Sequence, residues 1–328
     1  MKLKRITALL LSTALLLSGC SGLFGKRNLT YTDTLFDTVI SVQIQDIADE
    51  DLLEGCAEIC KKYDEMFSRT NENSEIYKIN NAGGAPVEVS EETRTLIKKG
   101  IYYSEMSEGA FDITIGSVSS LWDFKSGDAI VPTPEAIQAA ARNVNYKNIM
   151  VREQTVRLTN PNAAIDVGAI AKGYIADRLK DYLVDNGVEN ALINLGGNVL
   201  AIGSKADGSD YNIGIQKPFD ETGEPITSVK VSNHSVVTTG IYQRYFESNG
   251  TIYHHILDSF TGMPCQNDLY SVTIITDSSL TADALSTTCF LLGYEEGMHL
   301  VNQLDNVDAI FITNDNEIHY SNNFMKYE

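Results

Sequence analysis

Helical periodicity and strand-like alternation divide the 328-residue chain into segments whose structure can be predicted. Residues 51–67 place Leu52, Ile59, Tyr63 and Met66 on one helix face, because these positions recur three, four or seven residues apart. The other predicted helices, which begin with a capping residue or end before a glycine, are a short one opening near Glu75 and those at 90–108, 133–143, 169–185 and 280–292.

Strands are predicted where β-branched and aromatic residues are concentrated. The first covers residues 35–44, and another over 163–167 leads through Gly168 into the helix at 169–185. The other predicted strands are 149–151, 156–158, the hairpin of 191–195 with 199–202, and segments around Ile213, Val229, Val236, Tyr245, Ile252 and Val272. Helices and strands are mixed without regular alternation. We therefore predict an α+β fold with mixed, largely antiparallel sheets and packed helices.

The first residues of the chain have the pattern of an export signal. Three basic residues, Lys2, Lys4 and Arg5, precede a nearly continuous apolar run over residues 6–17. This run is shorter than the roughly 20 residues of a transmembrane helix and fits the apolar core of a signal peptide. It ends in Leu-Ser-Gly before Cys20, which resembles the lipobox of bacterial lipoproteins, whose cysteine is acylated. The alternative is an ordinary signal peptide with a cysteine at its cleavage site by chance.

These features predict three parts of the chain. They are a signal peptide over residues 1–19, a lipidated Cys20 with a tether that ends at residue 28, and one folded domain over residues 29–328. Several acyl chains hold a protein at a membrane more firmly than a single chain does. We therefore expect the domain on the extracytoplasmic face of a cell membrane, the periplasmic side in a Gram-negative cell.

The mature chain is strongly acidic. Removal of residues 1–19 takes away three basic residues and no acidic one, which leaves 22 basic and 44 acidic residues and a net charge of −22. Such a surface argues against nucleic acid as a partner and against electrostatic docking to anionic lipid. The spacing of the four remaining cysteines indicates neither a disulfide framework nor a zinc site, so we expect small buried residues.

A carboxylate and a hydroxyl share one face of the predicted C-terminal helix. Asp283 and Thr287 are four residues apart, so their oxygens lie one turn from each other. Together with a backbone carbonyl and phosphate oxygens they would suit Mg²⁺, which prefers hard oxygen ligands. The alternative is that Asp283 merely complements the positive end of the helix dipole while Thr287 is solvated.

A glycine turn after the predicted strand at 163–167 is a second candidate. Asp166 ends the strand and Lys172 lies inside the following helix, an arrangement that presents backbone groups and a helix N-terminus to a ligand. The segment is neither a Walker A loop nor a G-x-G-x-x-G fingerprint. By itself it indicates a nucleotide only weakly, because a lysine at this position is commonly solvated.

Two further segments could contribute to a site. His254 and His255 end a strand close to Asp258, and a histidine near a turn could act as a general base. Residues 108–114 form a glycine turn that we predict to re-enter a strand. The alternatives are a histidine pair that is structural or on the surface, and a simple connection with a buried Phe111.

Six motifs follow one another along the chain. They are Ser-Glu-Ile at 74–76 before Asn80, Gly-Ala-Phe-Asp at 109–112, Asp-Val-Gly-Ala-Ile-Ala-Lys-Gly-Tyr at 166–174, Leu-Gly-Gly-Asn at 195–198, His-Ile-Leu-Asp-x-x-Thr-Gly-x-Pro at 255–264 and Ala-Asp-Ala-Leu-Ser-Thr at 282–287. This ordered series resembles the ApbE family, the FAD:protein FMN transferases. The resemblance covers roughly residues 32–293, nearly the whole mature chain.

The resemblance implies which residues carry the chemistry. Mg²⁺ would be held by the backbone carbonyl of Ala169 and by the side chains of Asp283 and Thr287. The family histidine matches His255 rather than His254, because His255 directly precedes Ile-Leu-Asp, and it is the predicted catalytic residue. The residues that match the family's contacts to the substrate FAD are Phe36, Thr70, Ala110, Phe111, Asp112, Asp166, Lys172 and Leu257.

Three positions depart from the common family pattern. Phe36 stands where a methionine is frequent, and Thr70 where an aromatic residue often lies beside the flavin. These two changes bear on flavin affinity and stacking more than on chemistry. Ser259 replaces a usual proline after Asp258, which should only loosen a turn.

The function implied by the resemblance is Mg²⁺-dependent transfer of FMN from FAD to a Ser or Thr hydroxyl of an acceptor flavoprotein, with release of AMP. A flavin transferase held at a membrane suggests an acceptor in a membrane redox complex. The same site with water as acceptor would be an FAD pyrophosphatase. Beside these two enzymes, the sequence leaves open a flavin-binding lipoprotein without catalysis and, more remotely, a solute-binding lipoprotein.

Overall fold

The computed structural model describes residues 28–125, 130–220 and 222–327. The predicted signal peptide, Cys20 and most of the predicted tether lie outside the described residues. Within the described part of the chain, no helix combines the length and the apolar character needed to cross a membrane.

A large antiparallel sheet forms the centre of the fold. Its eight described strands lie in the order β1-β2-β6-β7-β10-β13-β14-β15. Their bounds are β1 Leu29–Leu35, β2 Thr38–Ile44, β6 Ala191–Leu195, β7 Asn198–Ile202, β10 Ser235–Gly240, β13 Leu269–Thr276, β14 Asp308–Thr313 and β15 Ile318–Tyr320. Every pair of neighbours in this sheet is antiparallel, which agrees with the predicted α+β class.

Smaller sheets border the large one. The hairpin β8–β9 is separate, and so are the ribbon β11–β12 and a three-stranded sheet in the order β3-β5-β4. Their bounds are β3 Val87–Glu88, β4 Ile149–Val151, β5 Thr155–Leu158, β8 Tyr211–Gln216, β9 Pro225–Val231, β11 Tyr245–Ser248 and β12 Thr251–His254. The ribbon β11–β12 ends immediately before His255, so it determines the backbone position of that residue.

The helices lie mainly on one face of the large sheet. Their bounds are α1 Asp51–Phe67, α2 Glu75–Asn81, α3 Glu91–Met106, α4 Gly116–Ser119, α5 Pro134–Ala141, α6 Ala171–Asp185, α7 Ser279–Leu292 and α8 Tyr294–Asn302. Helix α7 packs on β10 and β13 and also on α6, and α6 in turn packs on α1. Helix α7 is therefore buried on nearly all sides.

Both faces of the central strands are buried, against different partners. Along β13, Val272 and Ile274 belong to the large core beneath the helices, whereas Ile275 faces a second core. The second core also contains residues of the hairpin β8–β9 and of the C-terminal turn at Phe324–Tyr327. Successive side chains on a strand point to opposite faces, so one apolar strand can serve both cores.

Helices α6 and α7 approach each other closely at Gly173. A Cβ atom at this position would lie 2.3 Å from the carbonyl oxygen of Ser279 and 2.7 Å from the Cα of Leu280. Asp177, one turn further along α6, accepts hydrogen bonds from the amides of Ser279 and Leu280 at 2.8 and 3.1 Å. It therefore satisfies amide groups at the start of α7 that no helical carbonyl can reach.

Most predicted elements are confirmed. Helix α1 has the predicted bounds, and α3 begins after Ser90, whose hydroxyl accepts a hydrogen bond from the amide of Thr93 at 3.2 Å. Thr133 caps α5 in the same way at 3.3 Å. Helix α6 begins at Ala171 rather than at Ala169. The strands near Ile213, Val229, Val236, Tyr245, Ile252 and Val272 are all present.

Three predicted strands are wrong. Residues 35–44 do not form one strand, because Phe36 and Asp37 make a tight turn with φ of 55° and 59° between β1 and β2. Residues 163–167 make a single parallel bridge, since the amide and carbonyl of Ile165 bond to the side chain of Asn80 instead of to a strand. Residues 108–114 form turns that lead into α4.

Two regions have elements that the sequence did not predict. The turn at Phe36 and Asp37 was missed because neither residue is a glycine or an asparagine, the usual residues at positive φ. Helix α8 and the strands β14 and β15 lie in the C-terminal part of the chain, beyond the motifs. Their apolar patterns are short, and their strand partners are distant in sequence.

We predict that Gly173→Ala lowers the free energy of unfolding by about 3 kcal/mol or more, because the added methyl meets backbone atoms that cannot rotate away. Gly187→Ala is the control, since a Cβ there meets nothing within 4 Å and is disfavoured only by a φ of +83°. That change should cost about 1–2 kcal/mol. Urea denaturation measures both, and a loss in Gly173→Ala no larger than the control would contradict the close crossing.

Candidate functional site

The carboxylate of Asp283 is buried where α6 and α7 cross. Its side chain is 5% exposed. One oxygen, Oδ2, accepts a hydrogen bond from the amide of Gly173 at 2.9 Å, and the other, Oδ1, lies 3.9 Å from the ammonium group of Lys172. A buried charge with one amide bond and one distant cation is incompletely compensated. This side chain therefore has room for a further positive partner.

The carbonyl of Ala169, which lies before α6, is unpaired among the described residues. Because α6 begins at Ala171, the amide of Gly173 is in the first turn, where it has no carbonyl partner within the helix, and Asp283 satisfies it. No donor within the described ranges bonds to the Ala169 oxygen. The carbonyl is thus available to a ligand beside a buried carboxylate.

Thr287 lies one turn beyond Asp283 on α7 and is partly exposed. Its hydroxyl is 3.0 Å from that of Thr239 on β10, and the Thr239 hydroxyl is also 2.8 Å from that of Ser286. Hydroxyl groups can rotate, so Thr287 can offer a lone pair while it donates its proton to Thr239. The site therefore has three kinds of oxygen: carboxylate, hydroxyl and carbonyl.

This set of donors fits the predicted magnesium site. All three are hard oxygens, and Mg²⁺ is commonly bound by one or two carboxylates, with substrate phosphates and water completing its shell. The described residues contain no group of three or more His, Cys, Asp or Glu that could hold a metal. Water or the phosphate oxygens of a substrate would complete the shell of an ion held by Asp283, Thr287 and the Ala169 carbonyl.

Lys172 connects the glycine turn to Asp283. Its ammonium group donates to the carbonyl of Gly168 at 3.2 Å, in addition to its contact with Asp283. The side chain is 27% exposed, so the ammonium can also meet an anion from solvent. The prediction that Lys172 is part of the site, rather than a solvated helix residue, is consistent with these contacts.

Asp166 is held by residues that sequence reasoning missed. Its Oδ2 accepts from the Nε of Arg69 at 3.2 Å and from the hydroxyl of Ser119 at 2.8 Å, while Nη1 of Arg69 donates to the same hydroxyl at 2.8 Å. Its Oδ1 accepts from the amide of Gly168 at 3.0 Å. Neither Arg69 nor Ser119 belongs to a motif, and no local pattern identifies them.

His255 is in the protonation state that a general base requires. Burial, together with the nearby charges of Arg244 and Lys172, lowers the pKa of the imidazole from 6.5 to about 3, so the ring is neutral near pH 7. Nδ1 lies 3.2 Å from the carbonyl of Arg244, which can only accept a hydrogen bond, so Nδ1 carries the proton. The lone pair is then on Nε2, which has no hydrogen-bond partner within the described ranges.

His254 has the opposite arrangement and a structural role. Its Nε2 donates to the carbonyl of Cys265 at 3.0 Å, and its Nδ1 accepts from the amide of Ile256 at 3.3 Å. Burial also lowers its pKa, to about 4. With both ring nitrogens engaged, His254 cannot serve as a base, which supports the choice of His255 from the motif.

The turn at Phe36 and Asp37 is bonded to Arg244, whose carbonyl accepts a hydrogen bond from the amide of His255 at 3.1 Å. The side chain of Arg244 donates to the carbonyl of Asp37 at 3.1 Å, and Lys125 forms an ion pair with the Asp37 carboxylate. The amide of Phe36 donates to Asp64 of α1 at 3.0 Å. Its ring is partly buried against the large core, which limits how far it can move towards a ligand.

The glycine turn at 109–112 and the turn after Leu257 are joined directly. The hydroxyl of Ser259 donates to the carbonyl of Gly109 at 2.5 Å, a bond that a proline at position 259 could not make. We expected the serine only to loosen the turn, so this added connection changes that interpretation. Ala110 is partly buried next to this contact and Leu257 is buried in a small core with Trp122.

The side chains of Phe111 and Asp112 are occupied by the fold. Phe111 is buried in the large core, with its ring centroid 6.5 Å from that of Tyr103. The carboxylate of Asp112 accepts from the amide and hydroxyl of Thr114 at 2.7 and 2.6 Å and from the amide of Tyr146 at 2.7 Å. If these residues contact a flavin, as predicted, they do so through their backbone.

Thr70 is exposed, and its amide bonds to the hydroxyl of Ser68 at 3.2 Å. It follows Arg69 in the loop after α1, so it lies close to the Asp166 contacts described above. The predicted contacts of Phe36, Thr70, Ala110 and Leu257 with a flavin remain predictions. The structure brings Lys172 close to Asp283 and to the carbonyl of Gly168, which precedes Ala169. It also brings Lys172 near enough to His255 to help lower the pKa of that ring.

Comparison with known sequences identifies relatives over most of the chain. The family model described as "ApbE family" matches residues 36–311. A protein of Klebsiella pneumoniae (strain 342) named FAD:protein FMN transferase is 37% identical over 296 residues, which are 89% of this chain and 92% of that protein. One of the same name from Treponema pallidum (strain Nichols) is 35% identical over 285 residues, covering 82% and 79%.

Comparison with solved structures gives the same fold. The ApbE protein of Thermotoga maritima MSB8 superposes with a TM-score of 0.84 at 32% identity, over 92% of this chain and 99% of that one. The flavin transferase ApbE from Vibrio cholerae superposes with a TM-score of 0.83 at 26% identity, over the same shares. The predicted α+β fold is confirmed by these neighbours.

We predict that His254 and His255 both remain neutral well below pH 6.5, with the proton on Nε2 of His254 and on Nδ1 of His255. The unfolded chain takes up protons at these rings below pH 6.5 and the folded chain does not, so the free energy of unfolding should fall as the pH drops from 6.5 towards 4. Imidazole ¹⁵N NMR measures tautomer and pKa, with His254→Gln and His255→Gln assigning the signals. A His255 ring that titrates near pH 6.5 would contradict the account.

Proposed function

Because this chain belongs to the ApbE family, as its six ordered motifs predicted, we propose that it is a flavin transferase that cleaves FAD and transfers the FMN half to a protein hydroxyl. The observation that carries the proposal is the Gly173–Asp283 hydrogen bond. It holds a buried carboxylate at the start of α6, which follows the unpaired carbonyl of Ala169, and this arrangement suits a cation and a pyrophosphate.

We propose that Ala169, Asp283 and Thr287 hold Mg²⁺. When bound, the ion would supply neutralisation of the charge on the pyrophosphate of FAD. The ammonium of Lys172, which is partly exposed beside Asp283, supplies a further positive charge. The bound ion and Lys172 would together place positive charge at one point of a chain whose overall charge is strongly negative. The site would then attract an anion that the rest of the surface repels.

His255 provides the proton transfer. Its Nε2 lone pair accepts the proton of a Ser or Thr hydroxyl on the acceptor protein, and the oxygen attacks the phosphorus of the FMN half. The bond from that phosphorus to the bridging oxygen breaks, and AMP leaves with that oxygen. The product is a protein joined to FMN by a phosphoester. No side chain of the enzyme has to form a covalent intermediate.

The lipid anchor and the location belong to the proposal. Cys20 follows a signal peptide in the sequence, and acylation there would hold the domain on the extracytoplasmic side of a membrane. An acceptor flavoprotein in a membrane redox complex would then lie within reach of the tethered site. The acidic surface supports the lipid, rather than basic residues, as the means of attachment.

We predict that Asp283→Ala abolishes both AMP release and flavin transfer, because it removes the only carboxylate of the proposed metal set. The assay combines FAD, Mg²⁺ and a membrane extract from cells that lack this protein, with AMP measured by chromatography and labelled acceptor by in-gel flavin fluorescence. Asp181→Ala, which removes an exposed carboxylate of α6, is the control. Activity of Asp283→Ala at the control level, or activity in excess chelator, would refute the metal assignment.

The products distinguish the related functions. AMP together with a fluorescent acceptor band supports transfer, whereas AMP without labelled protein supports FAD pyrophosphatase activity. Binding of FAD with neither product supports a flavin-binding lipoprotein. His255→Ala should reduce transfer by about 10²–10⁴-fold, the usual contribution of a general base. His299→Ala, an exposed histidine on α8, should leave the rate unchanged.

We predict that Cys20→Ser leaves the protein unlipidated and moves it from the membrane to the soluble fraction. The catalytic domain begins after the tether, so the rate of AMP release from FAD should not change. Metabolic labelling with a radioactive fatty acid and fractionation of cells measure the two effects. Retention of label in Cys20→Ser would show that the lipid is attached elsewhere.

A further inference from the structure

Arg69 and Ser119 form a compact polar unit with Asp166 beside the proposed metal site. The guanidinium of Arg69 uses two different nitrogens, Nε to the carboxylate at 3.2 Å and Nη1 to the serine hydroxyl at 2.8 Å. The hydroxyl completes the triangle with its own 2.8 Å bond to Asp166. The side chains of Arg69 and Asp166 are 33% and 20% exposed, so this is a partly buried unit rather than a solvated surface pair.

The unit joins three parts of the chain that the backbone connects only sparsely. Arg69 lies in the loop after α1, Ser119 ends the short α4, and Asp166 precedes the glycine turn. The backbone ties near this point are a bridge between Ile115 and Ala164 and one bond from the amide of Asp166 to Ile113 at 2.8 Å. The orientation of the Asp166 side chain therefore depends on Arg69 and Ser119.

That orientation determines the shape of the glycine turn. The Oδ1 of Asp166 accepts from the amide of Gly168 at 3.0 Å, and the carbonyl of Gly168 accepts from Lys172 at 3.2 Å. No backbone carbonyl accepts from the Gly168 amide within the described ranges, so the carboxylate takes that role. Ala169 is the next residue, and its carbonyl is the one left free. A turn held at Gly168 fixes the direction in which that carbonyl points.

We propose that Arg69 and Ser119 are positioning residues for the metal site, acting through Asp166 on the Gly168–Ala169 turn. The inference rests on the proposed function in one respect, that the Ala169 carbonyl and Asp283 are metal ligands. Neither residue touches the metal or FAD in this role. Outer partners that orient metal ligands commonly affect metal affinity strongly, whereas an exposed ion pair contributes little to stability.

Substitutions at positions 69 and 119 can separate the effect of the positive charge of Arg69 from the effect of its hydrogen-bonding shape. A lysine at position 69 would keep the positive charge but lacks the planar fork that binds a carboxylate and a hydroxyl together. Threonine at position 119 would keep the hydroxyl, and alanine would remove it. The proposal therefore expects Arg69→Lys and Ser119→Ala to be impaired and Ser119→Thr to be close to the wild type.

The test measures metal binding directly, by titrating the full chain with Mn²⁺ alone and following free Mn²⁺ by electron paramagnetic resonance. We expect Arg69→Ala and Ser119→Ala to raise the dissociation constant by about 10-fold or more, within the range found for outer partners of metal ligands. Arg94→Ala is the matched control, since it removes an arginine–carboxylate pair with Glu91 on α3. Melting temperatures of all variants, measured in chelator, separate metal binding from folding.

The outcomes separate this inference from the proposed function. If Asp283→Ala abolishes Mn²⁺ binding while Arg69→Ala and Ser119→Ala bind it as tightly as Arg94→Ala, the positioning role is refuted and the metal site stands. If Asp283→Ala binds Mn²⁺ like the wild type, the metal assignment itself fails and this inference fails with it. Should Arg69→Ala not fold, Ser119→Ala decides, because loss of one hydroxyl leaves the ion pair in place.

Discussion

The close crossing of α6 and α7 is the constraint on which the rest of the site depends. Only a glycine fits at position 173, and its amide is then near enough to bond to the buried carboxylate of Asp283. One hydrogen bond thereby stabilises a charge inside the fold and satisfies an amide in the first turn of α6. The buried carboxylate is held in this way at the end of α6 that follows the free carbonyl of Ala169.

Two further parts of the site are arranged around this crossing. On one side, Lys172 and Asp166 hold the glycine turn from both ends through Gly168. On the other, the carbonyl of Arg244 fixes the proton of His255 on Nδ1 and leaves Nε2 free. The cation site and the base are therefore prepared by separate hydrogen bonds, and each can be altered without removing a residue of the other.

The sequence predicted those features that depend on neighbours along the chain. The capped helices and the spacing of Asp283 on α7 follow from local patterns, and the ordered motifs identified the family. It could not predict contacts made by the tertiary fold. Arg69 meets Asp166 only once α1 and the glycine turn are packed. Residues 163–167 have the apolar pattern of a strand, but the backbone of Ile165 bonds to the side chain of Asn80, which lies far away in sequence.

We propose, above all, that the unpaired Ala169 carbonyl before α6 and the Asp283 carboxylate at the first turn of that helix bind the same metal ion. The most direct measurement is a crystal structure with Mn²⁺ and ADP, with the metal located by its anomalous scattering. We predict one peak within bonding distance of the Ala169 carbonyl, Asp283 and Thr287. A peak elsewhere, or one bound to Asp283 with the Ala169 carbonyl turned away, would contradict it.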